Sequence, residues 1–117
     1  MYRIRTLLIL ILLSFSSTFF ATIKVIHVKV NGSDTADGLT WQNAVTLTRA
    51  RALVSYHLSL DNTIDVKIWA EQGTYSLSSD ALLLTEPMEI YGGFEGTEKE
   101  LSQRKRLNKS VLIQTNI

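Results

Sequence analysis

The sequence predicts a mostly β fold, wound as a repetitive coil of short strands, with one α-helix toward its N-terminal end. Three observations carry this reading. Short apolar or alternating runs recur: "IKVIHVKV" (23–30), "IDVKIWA" (64–70), "LLLT" (82–85), "MEIYG" (88–92) and "VLIQT" (111–115). Ile68, Ile90 and Leu112 lie 22 residues apart, as do Val66 and Met88, and Trp69 and Tyr91. A period of about 20–30 residues with short strands marks a solenoid, where each turn buries on its neighbour what it cannot bury alone. One stretch only, from about Gln42 to Leu60, switches to helical spacing, with Leu47, Ala50, Leu53, Val54 and Leu58 at three- and four-residue intervals.

The first 22 residues are a targeting segment. Arg3 and Arg5 precede the aliphatic run Leu7–Leu13, and serines, Thr18 and Ala21 follow, which is the charged, apolar, small-residue order of a secretory signal peptide. A membrane anchor is the competing reading. The run to Ala21 would reach about 22 Å as a helix, short of a hydrocarbon core of roughly 30 Å. Cleavage is expected between Thr18 and Thr22, although a cut after Ala21 would leave bulky Phe19 at the minus-three position. Residues 23–117 then form a single domain, exported to the cell surface or secreted.

Removing the signal changes the charge. Of 12 basic residues 10 remain (12 minus 2) against 11 acids, a net charge of −1. Nucleic acid is therefore not an expected partner. With no cysteine, the chain has no disulfide, no thiol chemistry and no lipid-modified cysteine.

Along the mature chain, Ile23–Val30 alternates, with Ile26, Val28 and Val30 on one face and His27 and Lys29 on the other. "NGSDTADG" (31–38) is a loop by composition. A helix over 43–59 is expected, N-capped by Asn43 or Thr46 and ended by Asp61-Asn62. Its apolar side, Leu47, Ala50, Val54 and Leu58, should cover the exposed end of the first coil. The core column would stack Val66 and Ile68 under Met88 and Ile90, under Val111 and Ile113. "YGGFEG" (91–96) reads as a corner: Gly92 and Gly93 bend the chain, and Phe94 folds back as a plug. A phosphate-binding loop is excluded there, because the glycine spacing and the following Lys-Ser/Thr are missing and Glu95 stands where an anion would sit. Gly38, in the loop before the helix, should tolerate valine better than Gly92 or Gly93.

The remaining polar residues suggest no chemistry. Asp34 and Asp37 hint at calcium, but Ser33, Thr35 and Ala44 occupy positions where an EF-type loop needs acids. His27 and His57 have no second histidine at ligand spacing and read as surface or edge residues. The serines lack a nucleophile-elbow context. Glu95, Glu98 and Glu100 could form a glycosidase pair but read as loop acids. "QRKRLNK" (103–109) reads as a solvated linker, since Glu98 and Glu100 lie beside it. No catalytic residue, cofactor or metal site is expected.

Three blocks, "VKVNGSDTADGLTWQNAVTLTRARAL", "VKIWAEQGTYSL" and "MEIYGGFEGTEKELSQRKRLNKSVLIQTN", occur in that order. Together they resemble the N-terminal region of secreted bacterial right-handed parallel β-helix proteins of the pectin-lyase-like superfamily. The matching positions are Trp41 and Ala44, then Ile68-Trp69-Ala70 with Gly73-Thr74-Tyr75. The corner follows as Tyr91-Gly92-Gly93-Phe94, Gly96-Thr97-Glu98 and Leu101-Ser102-Gln103-Arg104. Glu71-Gln72 before Gly73 departs from the pattern, and such proteins usually run for many more coils. The resemblance implies two to three coils of a parallel β-helix with an N-terminal capping helix, in a chain shortened relative to that family. It implies a non-enzymatic surface, structural or adhesin-like module. The alternative is the N-terminal fragment of a polysaccharide lyase or hydrolase, inert alone because the catalytic groups of such enzymes lie on central coils. A carbohydrate or cell-surface ligand is the partner class implied. Self-association through an open C-terminal coil, at Val111–Thr115, is also expected.

Overall fold

A computed structural model describes residues 22–77, 88–105 and 107–114. The expected signal segment (save Thr22) and the expected strand at 82–85 lie outside these residues. The elements run β1 (Ile23–Ser33), α1 (Leu47–Leu60), β2 (Asp65–Glu71), β3 (Gly73–Leu77), β4 (Glu89–Phe94), a 3-10 turn (Leu101–Gln103) and β5 (Ser110–Gln114).

The strands form two small parallel sheets, of order β1-β2-β4 and β3-β5, rather than the successive coils of a β-helix. The 22-residue period breaks at its third copy. Ile68 pairs with Ile90 and Trp69 with Tyr91, but Leu112 pairs with Tyr75 in the second sheet. The expected column of Val66/Ile68, Met88/Ile90 and Val111/Ile113 therefore does not form. The physical cause lies at the end of β4. The register shifts between Trp69 and Glu71, and the chain turns away after Phe94. It returns beside β3, where the Gly73 amide donates to the Lys109 carbonyl at 3.0 Å. The Ser110 hydroxyl fixes that return, bonding the carbonyls of Ala70 (3.1 Å) and Glu71 (2.8 Å) and accepting from the Gly93 amide (2.8 Å).

Parallel strands are stable when both sheet faces are covered, and β2 meets that requirement. Val66, Ile68 and Ala70 join Ile26 and Val28 in one cluster, closed by Leu47, Ala50, Leu53 and Val54 of α1. Trp69, on the opposite face, packs with Phe94, Trp41 and Ala44. The helix begins at Leu47, later than the expected residue 43, because Asn43 is committed to a turn. Its amide donates to the Thr40 carbonyl (3.2 Å) and its carbonyl accepts from the Gly38 amide (2.9 Å). Thr46 is the cap: its hydroxyl oxygen accepts from the Arg49 amide (3.2 Å) and its proton goes to Asp34 (2.8 Å).

The outer edge of β1 is closed by the loop that follows it. The His27 amide donates to the Gly38 carbonyl (2.6 Å), the Ser33 amide to the Ala44 carbonyl (3.0 Å), and the Thr46 amide to the Ser33 carbonyl (3.1 Å). A covered edge cannot template pairing with another chain. Gly38, expected to be the permissive glycine, is in fact constrained. It has φ 70°, and an added Cβ would lie 2.9 Å from Ile26 Cγ2.

Candidate functional site

The strand register places His27, Trp69 and Tyr91 side by side on one row of the sheet. Trp41, from the β1–α1 loop, and Phe94, from the end of β4, close over that row. Phe94 is fully buried, stacked on Trp69 with ring centroids 4.8 Å apart and planes at 14°. Trp41 lies 5.5 Å from Phe94 with its plane tilted by 49°. Offset stacking and tilted contacts of this kind add to burial by aligning ring quadrupoles. Arg104 sits over both Tyr91 (5.4 Å) and Phe94 (5.5 Å) and donates to the Gly92 carbonyl at 3.0 Å. Tyr91 also donates to the Glu89 carboxylate, which pairs with Lys67 at 3.4 Å.

Glu98 binds this cluster to the glycine turn. It is only 6% exposed, and its carboxylate accepts from the amides of Glu95 (2.7 Å), Gly96 (3.0 Å) and Thr97 (2.9 Å). Burial raises its pKa, but the converging N–H groups outweigh burial and hold it below the ordinary value, so it is ionised at neutral pH. The Glu98 carbonyl accepts from the Trp41 indole N–H at 2.8 Å. Glu98, read from the sequence as a loop acid, lies in the loop and is a structural anchor there. The signal was present in "FEGTE": a turn exposes several amides at once, and a glutamate two or three residues later can reach back to them.

His27 lies half-buried on the outer strand β1, and its ring meets Trp41 (4.7 Å) and Trp69 (5.7 Å) edge-on. Its Nδ1 donates to the Gly38 carbonyl at 2.9 Å. Burial lowers its pKa below 6.5 and outweighs the Gly38 bond, which acts in the opposite direction. Strand alternation showed which face His27 occupies; nothing local showed that Trp41 would cover it. Because the folded pKa is depressed, the unfolded chain binds the proton first, and stability falls as pH drops below about 6.5. Thermal midpoints measured between pH 8 and pH 5 should decline in the wild type and decline less in His27→Gln.

The remaining singled-out residues fall elsewhere. Gly73, Thr74 and Tyr75 lie on β3 in the second sheet. Tyr75 is buried with the helix-side cluster and donates to the Glu71 carbonyl at 2.7 Å. Burial, and then the Glu71 carboxylate, push its phenol pKa upward, so it stays protonated. Gly92, Gly93 and Gly96 all line the corner. Asp37 accepts from the Leu39 amide at 3.0 Å, while Asp34 holds the helix cap. Among the described residues no group of three His, Cys, Asp or Glu side chains converges as metal ligands.

Beside the corner lies a cleft of about 490 Å³ lined by His27, Leu39, Thr40, Trp41, Gln42 and Gly96–Lys99. Its lining offers hydroxyl, amide and ammonium groups, and Trp41 there is 8% exposed. Such a site can hydrogen-bond a polar ligand. No family model, curated protein or solved structure matches the chain.

The two tryptophans give a differential test. Trp41 Nε1 has a buried partner, whereas Trp69 Nε1 is buried without one among the described residues. Trp41→Phe strands the Glu98 carbonyl and should cost about 1–3 kcal/mol beyond the loss of ring volume. Trp69→Phe removes an unpaired donor and should cost less. Urea unfolding of both variants checks the order.

Proposed function

We propose that this chain is an exported, non-enzymatic module of the cell surface or secreted space, structural or adhesin-like in role. The observation that carries the reading is the use of Glu98. The most buried acid of the corner is spent on three backbone amides, and the aromatic residues around it are spent on packing. A group held that way organises a loop rather than exchanging protons with a substrate. The charged, apolar, small-residue order of residues 1–22 supports export. No described helix is long and apolar enough to cross a membrane. The sequence blocks resembling secreted surface proteins point the same way. A carbohydrate is the ligand class that suits the cleft, because Thr40, Gln42, Thr97 and Lys99 supply donors and acceptors around an apolar edge.

Fractionation of an expressing bacterium with N-terminal sequencing tests export. The expected product is found outside the cytoplasm and begins between residues 19 and 22. An intact Met1 start in the cytoplasm or the membrane pellet would overturn the proposal.

A further inference from the structure

We propose that the cleft beside the corner takes a neutral oligosaccharide, with His27 Nε2 accepting a hydrogen bond from one of its hydroxyls. This assignment rests on the carbohydrate reading of the cleft and deepens it. The Gly38 carbonyl decides the state of the ring. That oxygen accepts from the His27 backbone amide at 2.6 Å and from ring Nδ1 at 2.9 Å. A carbonyl can only accept, so Nδ1 carries the ring proton and Nε2 of the neutral imidazole is a bare acceptor. Burial holds the His27 pKa below its ordinary value, so the neutral ring is the resident form at neutral pH. Nε2 has no hydrogen-bond partner among the described residues, and His27 lines the cleft. Edge contacts to Trp41 and Trp69 hold the ring in place. An acceptor fixed before the ligand arrives lowers the ordering cost of binding.

The rest of the lining is rich in donors. Thr40 Oγ1 accepts from the Asn43 amide at 3.1 Å, which leaves its own proton to donate. Gln42, Thr97 and Lys99 are exposed and add an amide, a hydroxyl and an ammonium. A ligand that meets both Nε2 and these groups must donate and accept over a short span. Sugar hydroxyls do both. A carboxylate has no proton for Nε2 at neutral pH.

Charge also favours a neutral sugar. In the lining, Glu98 and Lys99 offset each other. Asp37 beside Gly38 and exposed Glu100 beside Lys99 tip the surroundings negative. On the strands around His27, Lys29 pairs with Glu71 (3.7 Å) and Lys67 with Glu89 (3.4 Å), so both cations are offset. Arg104 lies over Tyr91, two strands away from His27. An acidic sugar would enter against that balance.

Titration of the full-length chain with cellohexaose, maltohexaose, mannohexaose and trigalacturonate, followed by nitrogen NMR, tests this. At neutral pH one of the neutral sugars should move the His27 Nε2 resonance and the Gln42 and Thr97 amides, with Nδ1 little changed. A protonated His27 cannot accept, so affinity should fall about tenfold per pH unit below the midpoint of its own titration. The same spectra report that midpoint and show that the fold is retained. Gln42→Ala and Thr97→Ala, both at exposed positions, should each weaken binding roughly fivefold. Binding of none of the four sugars would overturn the carbohydrate reading and the His27 assignment together. Binding that moves Gln42 and Thr97 but stays level as His27 titrates, or that favours trigalacturonate at neutral pH, would overturn this assignment alone.

Discussion

Phe94→Ala should cost about 3–5 kcal/mol of unfolding free energy, the usual range for removing a fully buried phenylalanine. Phe94 has no exposed surface and contacts both Trp69 and Trp41. Deleting its ring leaves a cavity that neither indole can fill. Trp41 is held by its bond to the Glu98 carbonyl, and Trp69 is fixed by the sheet register. Tryptophan emission should also move to the red as water reaches the cluster. Leu101→Ala provides the comparison, since Leu101 packs on the same cluster while only partly buried. It should cost distinctly less. A Phe94→Ala loss below about 1 kcal/mol in denaturant unfolding would mean that the corner is not a packed unit.

Gly93→Val should be comparably severe, for two independent reasons. Gly93 has φ 82°, a region that β-branched residues enter only under strain. An added Cβ would also lie 2.6 Å from the Asn108 carbonyl oxygen, a backbone atom that cannot swing aside. A loss of about 3–5 kcal/mol is expected. Gly92→Val should be milder, because Gly92 is not at positive φ and its nearest obstacle is Ser110 Cβ at 2.8 Å. Gly38→Val should rank with Gly93→Val, reversing the order that loop composition suggests. Equal thermal midpoints for Gly92→Val and Gly93→Val would contradict this geometry.

Some of this molecule is legible in its sequence, and physics explains which parts. The alternation Ile26, Val28 in β1 and Val66, Ile68 in β2 is local information, because side chains of a strand point alternately to opposite faces. The helical stripe Leu47, Ala50, Leu53, Val54 is local for the same reason. Pairing is not local. The run Val111–Gln114 has the same pattern whichever strand it joins, and its place beside β3 is selected by Ser110 bonding Ala70, Glu71 and Gly93. A three-copy spacing therefore overstated the repeat, since one real offset between β2 and β4 was extended to a strand that lies in another sheet. The sequence places Glu98 in a loop and His27 on an outer strand but does not show their contacts, because Trp41 reaches Glu98 from 57 residues away and Gly38 meets His27 only when the loop after β1 folds back. For Trp41, Trp69 and Phe94, residue type marked the importance of each position but not their mutual contact.

Glu98 is a structural anchor which holds the glycine turn against the aromatic cluster. Amide hydrogen exchange at Glu95, Gly96 and Thr97 tests it most directly, because these three N–H groups are the ones its carboxylate accepts. In the wild type all three should exchange far more slowly than open loop amides, and Glu98→Ala should release them together. Exchange at unprotected rates in the wild type, or protection that survives Glu98→Ala, would contradict the account.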